Sequence, residues 1–327
     1  MGKQAVLLLA HGTPETVEQI PEYLRNVVSG RPLPQHIIEE IQHRYALIGR
    51  SPLTEITMEQ ARLVEQELAA GGLDVKVYVG MRNWRPYIPD VVKQMRADGV
   101  QEAAVICLAP QNSRTSVGLY KRAVQAEAGS LRIDFTEGWA QHPLLADAFA
   151  ERLRTAMAKL EEETGEPVPV LFTAHSVPLR TVEPPAERDA PGERRMWPGE
   201  GTDPYAVEAR RTAEMVAERV EEIPQWWFAF QSQGASGGPW IGPTVEETLD
   251  QIAAGGVKTL LLQPIGFVCD HVEILYDVDI AFREYAERLE MRLERPESLN
   301  DSGTLARAVA GLGRQGLARL NVAGSVG

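Results

Sequence analysis

LLLAHGTP, residues 7–14, and LFTAHSVP, residues 171–178, say nearly the same thing twice. In each, an apolar run ends in Ala-His, a small residue and a proline. Four to eight apolar residues closed by turn chemistry read as a buried strand. His11 and His175 therefore sit where two strands leave the core, 164 positions apart in a chain of 327. The pattern is that of an internal repeat with one histidine at the same corner of each half.

The rest of the chain follows that rhythm. Strand-like runs near 5–10, 75–80, 103–109 and 132–137 alternate with helical periodicity over 16–28, 35–47, 55–70, 86–98, 115–128 and 143–163. The series restarts with strands near 168–174, 226–232, 259–268 and 289–294 and helices near 204–222, 243–254 and 272–288. Alternating strands and helices predict parallel sheets flanked by helices. The expected units are 1–140 and 141–327, the second including a C-terminal helix from about 303 and a Gly-rich tail. Ligands of open α/β sheets lie beyond the carboxyl ends of the strands. Both histidines fall there, so a cleft between the halves would be lined from both sides.

Composition narrows the partners. No apolar run reaches the eighteen or so residues that span a bilayer, and the first residues lack the pattern of a signal peptide. A cytoplasmic, monomeric protein without a membrane anchor is expected. A net charge of −13 argues against nucleic acid and anionic membrane. The two cysteines, Cys107 and Cys269, are too few for a four-cysteine iron–sulfur cluster, and no prosthetic group is expected.

A lone strand-end histidine is ordinarily a satisfied polar residue, and an acidic helix stripe is ordinarily solvated. In this chain the two coincide. After the strand near 259–268 come Asp270-His271 and a helix carrying Glu273 and Asp277, four apart and on one face, with Glu284 further along. Imidazole beside carboxylate suits a divalent metal or a proton relay. Gly234-Ala235-Ser236-Gly237-Gly238 matches the GxSxG elbow of hydrolases, but prolines part its serine from the next helix, and the one later histidine, His271, directly follows Asp270. In the first half Arg31, Arg44-Tyr45, Arg50-Ser51, Arg82, Arg114 and Tyr120-Lys121-Arg122 gather after strand ends and in loops. Together such groups hold the carboxylates of a flat anionic ligand. Residues 179–202, rich in proline and charge, form a long loop of the kind that is either functional or disordered.

These stretches resemble the ferrochelatases to about residue 312, most closely the soluble bacterial branch that inserts ferrous iron into coproporphyrin III. The resemblance rests on AHGTPETVEQIPEYLRNV, RYALIGRSPLTEIT, YVGMRNWRPYI, LAPQNSRTSVGLYKRA, TAHSVP with the later GTDPY, QSQGASGGPWIGP and PIGFVCDHVEILYDVD. It implies two Rossmann-like, chelatase-type domains, each a four-stranded parallel sheet, with porphyrin in the cleft between them. It implies that His175 and Glu273 receive the metal and the pyrrole protons and that Asp277 continues an acidic track. Arg44, Tyr45, Ser51 and Tyr120 match porphyrin-carboxylate contacts, and His11 matches the position facing the opposite side of the ring. Relatives usually carry tyrosine at that position, and they have few residues where this chain has 179–202. The substrates expected are coproporphyrin III and Fe²⁺. The alternatives are a protoporphyrin IX ferrochelatase and a tetrapyrrole carrier without chemistry.

Overall fold

The computed structural model describes residues 2–114, 116–179, 203–233 and 239–324. The GxSxG motif and all but Leu179 of the 179–202 segment lie outside these residues.

The first sheet contains β1 (Lys3–Ala10), β2 (Lys76–Met81), β3 (Val100–Cys107) and β4 (Arg132–Thr136). The second contains β5 (Val170–His175), β6 (Trp226–Gln231), β7 (Thr259–Pro264) and β8 (Arg292–Glu294). All pairings are parallel. The strand orders are β2-β1-β3-β4 and β6-β5-β7-β8, the same arrangement twice. Each histidine therefore follows or ends the inner strand at which the strand order of its sheet reverses, the position where open α/β sheets bind ligands. This is the two-domain α/β fold the repeat predicted.

The helices of the first half are α1 (Ile20–Val27), α2 (Gln35–Ile48), α3 (Leu53–Ala70), α4 (Ile88–Ala97), α5 (Val117–Glu127) and α6 (Pro143–Thr164). Those of the second are α7 (Tyr205–Ala217), α8 (Val245–Ala254), a π-helix over Glu273–Phe282 that continues into α9 (Arg283–Arg288), and α10 (Gly303–Gly324). The inner strands β1, β3, β5 and β7 are buried on both faces, so their side chains alternate between two apolar layers. Ala5, Leu7 and Leu9 face α4 and α5, whereas Val6, Leu8 and Ala10 face a central layer. The central layer also takes Phe149 of α6, Ala213 of α7, Val309 of α10 and, from the second sheet, Val170 and Phe172. The interior is thus continuous across the two sheets. Leu171 and Leu262 face outward to α8 and the π-helix.

Two elements depart from the sequence reading. The helix expected over 272–288 with a 3.6-residue repeat is π-wound for its first ten residues. Ile274, Val278 and Phe282 still form its buried stripe, because a four-residue apolar spacing satisfies either winding. The terminal helix α10, grouped by chain order with 141–327, packs on α3, α6 and strands β3 and β4 of the first sheet. Gly316 permits that approach: a Cβ there would lie 2.8 Å from the Ala104 Cβ and 3.0 Å from an Asp134 carboxylate oxygen. Gly311, on the same helix, has nothing within 4 Å.

Gly316→Val should accordingly lower the unfolding free energy by about 1–3 kcal/mol through overpacking. Gly311→Ala should leave stability unchanged or raise it by about 0.5–1 kcal/mol, because alanine restricts the unfolded chain more than glycine does. Urea unfolding of both variants checks the pair, and equal effects would contradict this packing of α10.

Candidate active site

The turn after β5 fixes His175. Its Nδ1 lies against the Ser176 carbonyl. A carbonyl only accepts, so Nδ1 carries a proton and Nε2 is the nitrogen free to gain or lose one. Ser176 is held in turn, its hydroxyl donating to the Ile241 carbonyl at 2.8 Å and its amide to the Gln231 carbonyl at 2.6 Å. His175 Nε2 lies 3.5 Å from Glu273 Oε1, at the first turn of the π-helix. Both side chains are part-open, 27% and 35% exposed, and the rings of Trp240 and Phe267 stand edge-on to the imidazole at 6.4 Å.

Electrostatics divide the roles of this pair. Burial alone would raise the Glu273 pKa, but His175, His271 and His11 outweigh it and hold the carboxyl at about 2. Burial alone would lower the His175 pKa, but Glu273, the Ser176 carbonyl and Asp277 move it above 6.5. Glu273 thus stays anionic while His175 has increased proton affinity. The third group, Asp277, is buried one step along the π-helix. Burial and the nearby Glu273 charge raise its pKa to about 6, against the Ser232 hydroxyl and Arg44. Arg44 reaches it from the first half, Nη1 to Oδ1 at 3.2 Å. A carboxyl with this pKa exchanges protons readily near neutrality. Glu284 is exposed and takes no place in the group.

The first half presents His11 across the gap. The Asn83 amide nitrogen lies 3.1 and 3.2 Å from its two ring nitrogens, and Tyr23 packs edge-on at 6.0 Å. Burial, helped by the Arg82 charge, lowers the His11 pKa to about 4. A neutral imidazole with an available lone pair is a good ligand for iron. Gly12 closes the turn at φ +84°, where a Cβ would sit 2.9 Å from the Trp84 amide nitrogen.

The expected carboxylate holders divide. Tyr45 is buried, bonded through its hydroxyl to Thr13 at 2.9 Å, and kept a neutral phenol by burial, with its pKa raised to about 12. The Ser51 hydroxyl is buried with no hydrogen-bond partner among the described residues. Tyr120 is buried, with the Arg82 guanidinium 5.7 Å from its ring centre. Arg44 is already engaged by Asp277 and Glu40 and stacks on Tyr276 at 4.9 Å. Arg50 is paired with Glu55 at 2.6 Å, and Lys121 with Glu137. Asp270 is held by Ser298, Asn300 and Arg295 rather than by His271, which removes the acid–base half of the hydrolase reading.

Sequence reasoning missed Asn83, Ser232 and Asp203. Asp203 accepts from the Ser113 hydroxyl and the Arg114 amide, both at 3.0 Å, and so ties the loop after β3 to the start of α7. Its place in GTDPY ahead of a helix was the signal available. Among the described residues no three His, Cys, Asp or Glu side chains converge as a metal-holding group. His175 and Glu273 offer one nitrogen and one oxygen, an arrangement fit to receive an ion in passing.

Comparison with known proteins identifies the family of the chain. The ferrochelatase family model matches residues 3–317. A ferrochelatase of Acidobacterium capsulatum is 59% identical, covering 97% of this chain and 96% of its own. A coproporphyrin III ferrochelatase of Halalkalibacterium halodurans is 34% identical, covering 91% and 92%. In fold the chain is similar to the sirohydrochlorin chelatase SirB of Bacillus subtilis subspecies spizizenii, with TM-score 0.54 at 11% identity over 96% of this chain and 94% of that one. A multi-domain Deinococcus radiodurans protein with structural similarity to chelatases gives TM-score 0.58 at 13% identity, over 96% of this chain and 55% of that one. With its family model spanning both halves and both histidine corners, the chain belongs to the ferrochelatase family, the lyases that insert iron into a porphyrin.

Proposed function

We propose that this ferrochelatase metallates coproporphyrin III, with His175 and Glu273 as its reactive pair. The observation that carries the substrate choice is the lip of α1, α2 and their connection. Its exposed side chains include Glu22, Arg25, Arg31, Gln35, His36, Glu39, Glu40 and His43. Leu47, 52% exposed, is the one large apolar side chain exposed on these two helices. A ring delivered from a membrane calls for an apolar rim, whereas a ring with four carboxylates is delivered by water. Relatives named coproporphyrin III ferrochelatases support the same choice.

Insertion exchanges two pyrrole N–H protons for one Fe²⁺. The Nε2 of His175 takes the two pyrrole protons one at a time, passing on the first before it accepts the second, and the adjacent Glu273 carboxylate stabilises the imidazolium that forms each time. The proton leaves through Asp277, whose affinity near pH 6 lets it load and discharge. The emptied nitrogen and the permanently ionised Glu273 then attract the ion. Proton removal and metal arrival thus alternate at one nitrogen. His11, neutral on the other face, ligates the iron once it is seated. The reaction needs no prosthetic group.

His175→Ala should lower turnover by about two to four orders of magnitude while porphyrin binding, followed by fluorescence, survives. Glu273→Gln should do similar damage. It should also move the His175 titration to lower pH, because the charge that raises it is gone. A fully active His175→Ala enzyme would refute the proton path.

Coproporphyrin III should be metallated with higher kcat/KM than protoporphyrin IX in the absence of detergent or lipid. Equal or better use of protoporphyrin IX reverses the substrate assignment.

Resonance Raman of the iron coproporphyrin complex should show an iron–imidazole stretch that disappears in His11→Ala, with insertion retained. A stretch unchanged in that variant would place His11 away from the iron.

A further inference from the structure

Arg295 follows β8 directly, at the carboxyl end of that edge strand. Its side chain is 12% exposed, yet every arm of its guanidinium is engaged. Nε and Nη2 grip the two carboxylate oxygens of Asp279, on the π-helix, at 2.6 and 2.9 Å. Nη2 also lies 3.1 Å from Asp270 Oδ1, and Nη1 donates to the Pro296 carbonyl and the Ser298 hydroxyl at 3.1 and 3.3 Å. Asn300 holds Asp270 from its other side. The Asn300 side-chain nitrogen donates to Asp270 Oδ2 at 2.9 Å, and its side-chain oxygen accepts from the Asp270 backbone amide at 2.9 Å. Gln60 of α3 donates to the Asn300 and Val268 carbonyls at 2.9 and 3.1 Å, which ties this turn to the first half. One guanidinium thus joins two points of the chain, Asp270 and Asp279, that lie on either side of Glu273.

A π-helix is rare and mostly a single turn, so one of ten residues needs support from outside its own backbone. Its apolar stripe does not choose the winding, because Ile274, Val278 and Phe282 fit an α-helix equally well. The carboxylates do choose. A return to α-winding turns each residue farther about the axis and carries Asp279 away from a guanidinium that Asp270 anchors. Desolvation cancels much of what a buried ion pair contributes to stability, and the best-attested use of such pairs is to fix a register. Resting on the His175–Glu273 pair proposed above, we propose that Arg295 is a positioning residue for metal insertion. By holding Asp270 and Asp279 together it keeps the helix π-wound and so sets the Glu273 carboxylate against His175. The guanidinium bonds to neither member of that pair, and acts on them through the backbone between its two anchors.

The test is Asp279→Asn in the full chain, a nearly isosteric change that leaves Arg295 its contacts with Asp270 and Ser298. It is assayed with Fe²⁺ and whichever of the two porphyrins the wild type metallates better, well below the unfolding temperature. Turnover should fall about 10- to 100-fold, as it does when a reacting group is slightly misplaced. Porphyrin affinity, followed by fluorescence, should stay within about threefold, and KM for Fe²⁺ should rise, because the displaced group is the one that attracts the ion. Amide hydrogen exchange should quicken in residues 273–282 and stay slow in β1 and β5. Arg295→Lys, whose ammonium lacks the fork that grips both carboxylates, should show the same pattern, and is read in the same way if Asp279→Asn does not fold. A role in stability alone would quicken exchange throughout the chain and leave turnover normal where the variant is folded. That result, or a loss of turnover with exchange in 273–282 unchanged, overturns the assignment. A fully active His175→Ala enzyme overturns the reactive pair and this inference with it. Wild-type turnover in Asp279→Asn overturns this inference alone.

Discussion

One unbroken apolar layer between the two sheets holds every distance across the cleft. Phe149 on α6, Ala213 on α7 and Val309 on α10 share it with Val6 and Leu8 of β1 and with Val170 and Phe172 of β5. A close-packed interior transmits displacement rather than absorbing it. The corners that end β1 and β5 are therefore held relative to each other, and the 3.5 Å approach of His175 to Glu273 belongs to the scaffold, not to mobile loops. The Asp203 contacts with the loop after β3 and the Arg44–Asp277 pair add polar ties between the halves at the cleft itself.

The same scaffold gives the two faces of the cleft different chemistry. At the second corner a histidine meets a carboxylate: the imidazole helps keep the carboxyl ionised, and the carboxylate raises the proton affinity of the imidazole. At the first, an equivalent histidine meets an amide, a phenol ring and a cationic arginine, and stays neutral. The roles proposed above, a base that cycles its proton and a ligand that keeps its lone pair, call for these opposite settings. Neighbouring side chains supply them from one repeated backbone.

Much of this was legible in the chain. Apolar runs closed by Ala-His placed both central strands, and the alternation of strand and helix gave parallel sheets. His175 and Glu273 could be paired because each adjoins a strand's carboxyl end, which topology sends to one place. What was not legible depends on side chains that meet from distant parts of the chain. Arg44 finds Asp277 across 233 positions, and Asn83 finds His11 across 72. Neither pairing leaves a periodic trace. The π-winding was hidden because Ile274, Val278 and Phe282 fit an α-helical stripe equally well. Docking of α10 on the first sheet was hidden because adjacency in the chain is the default expectation, and here distance in sequence and neighbourhood in space disagree.

That last disagreement matters to a ribosome. The first sheet is complete in strands by Thr136, yet α10, which packs on its inner face beside α3 and α6, begins only at Gly303, and Gln4 bonds Asn321 at 2.8 Å. At roughly 5–20 residues per second, the interval between β4 and α10 is on the order of ten seconds or more. Throughout it the part of that sheet face on which α10 packs, beside α3 and α6, lacks its last covering element. Synthesis from the N-terminus therefore makes the strands of the first sheet wait for the helix that completes their cover.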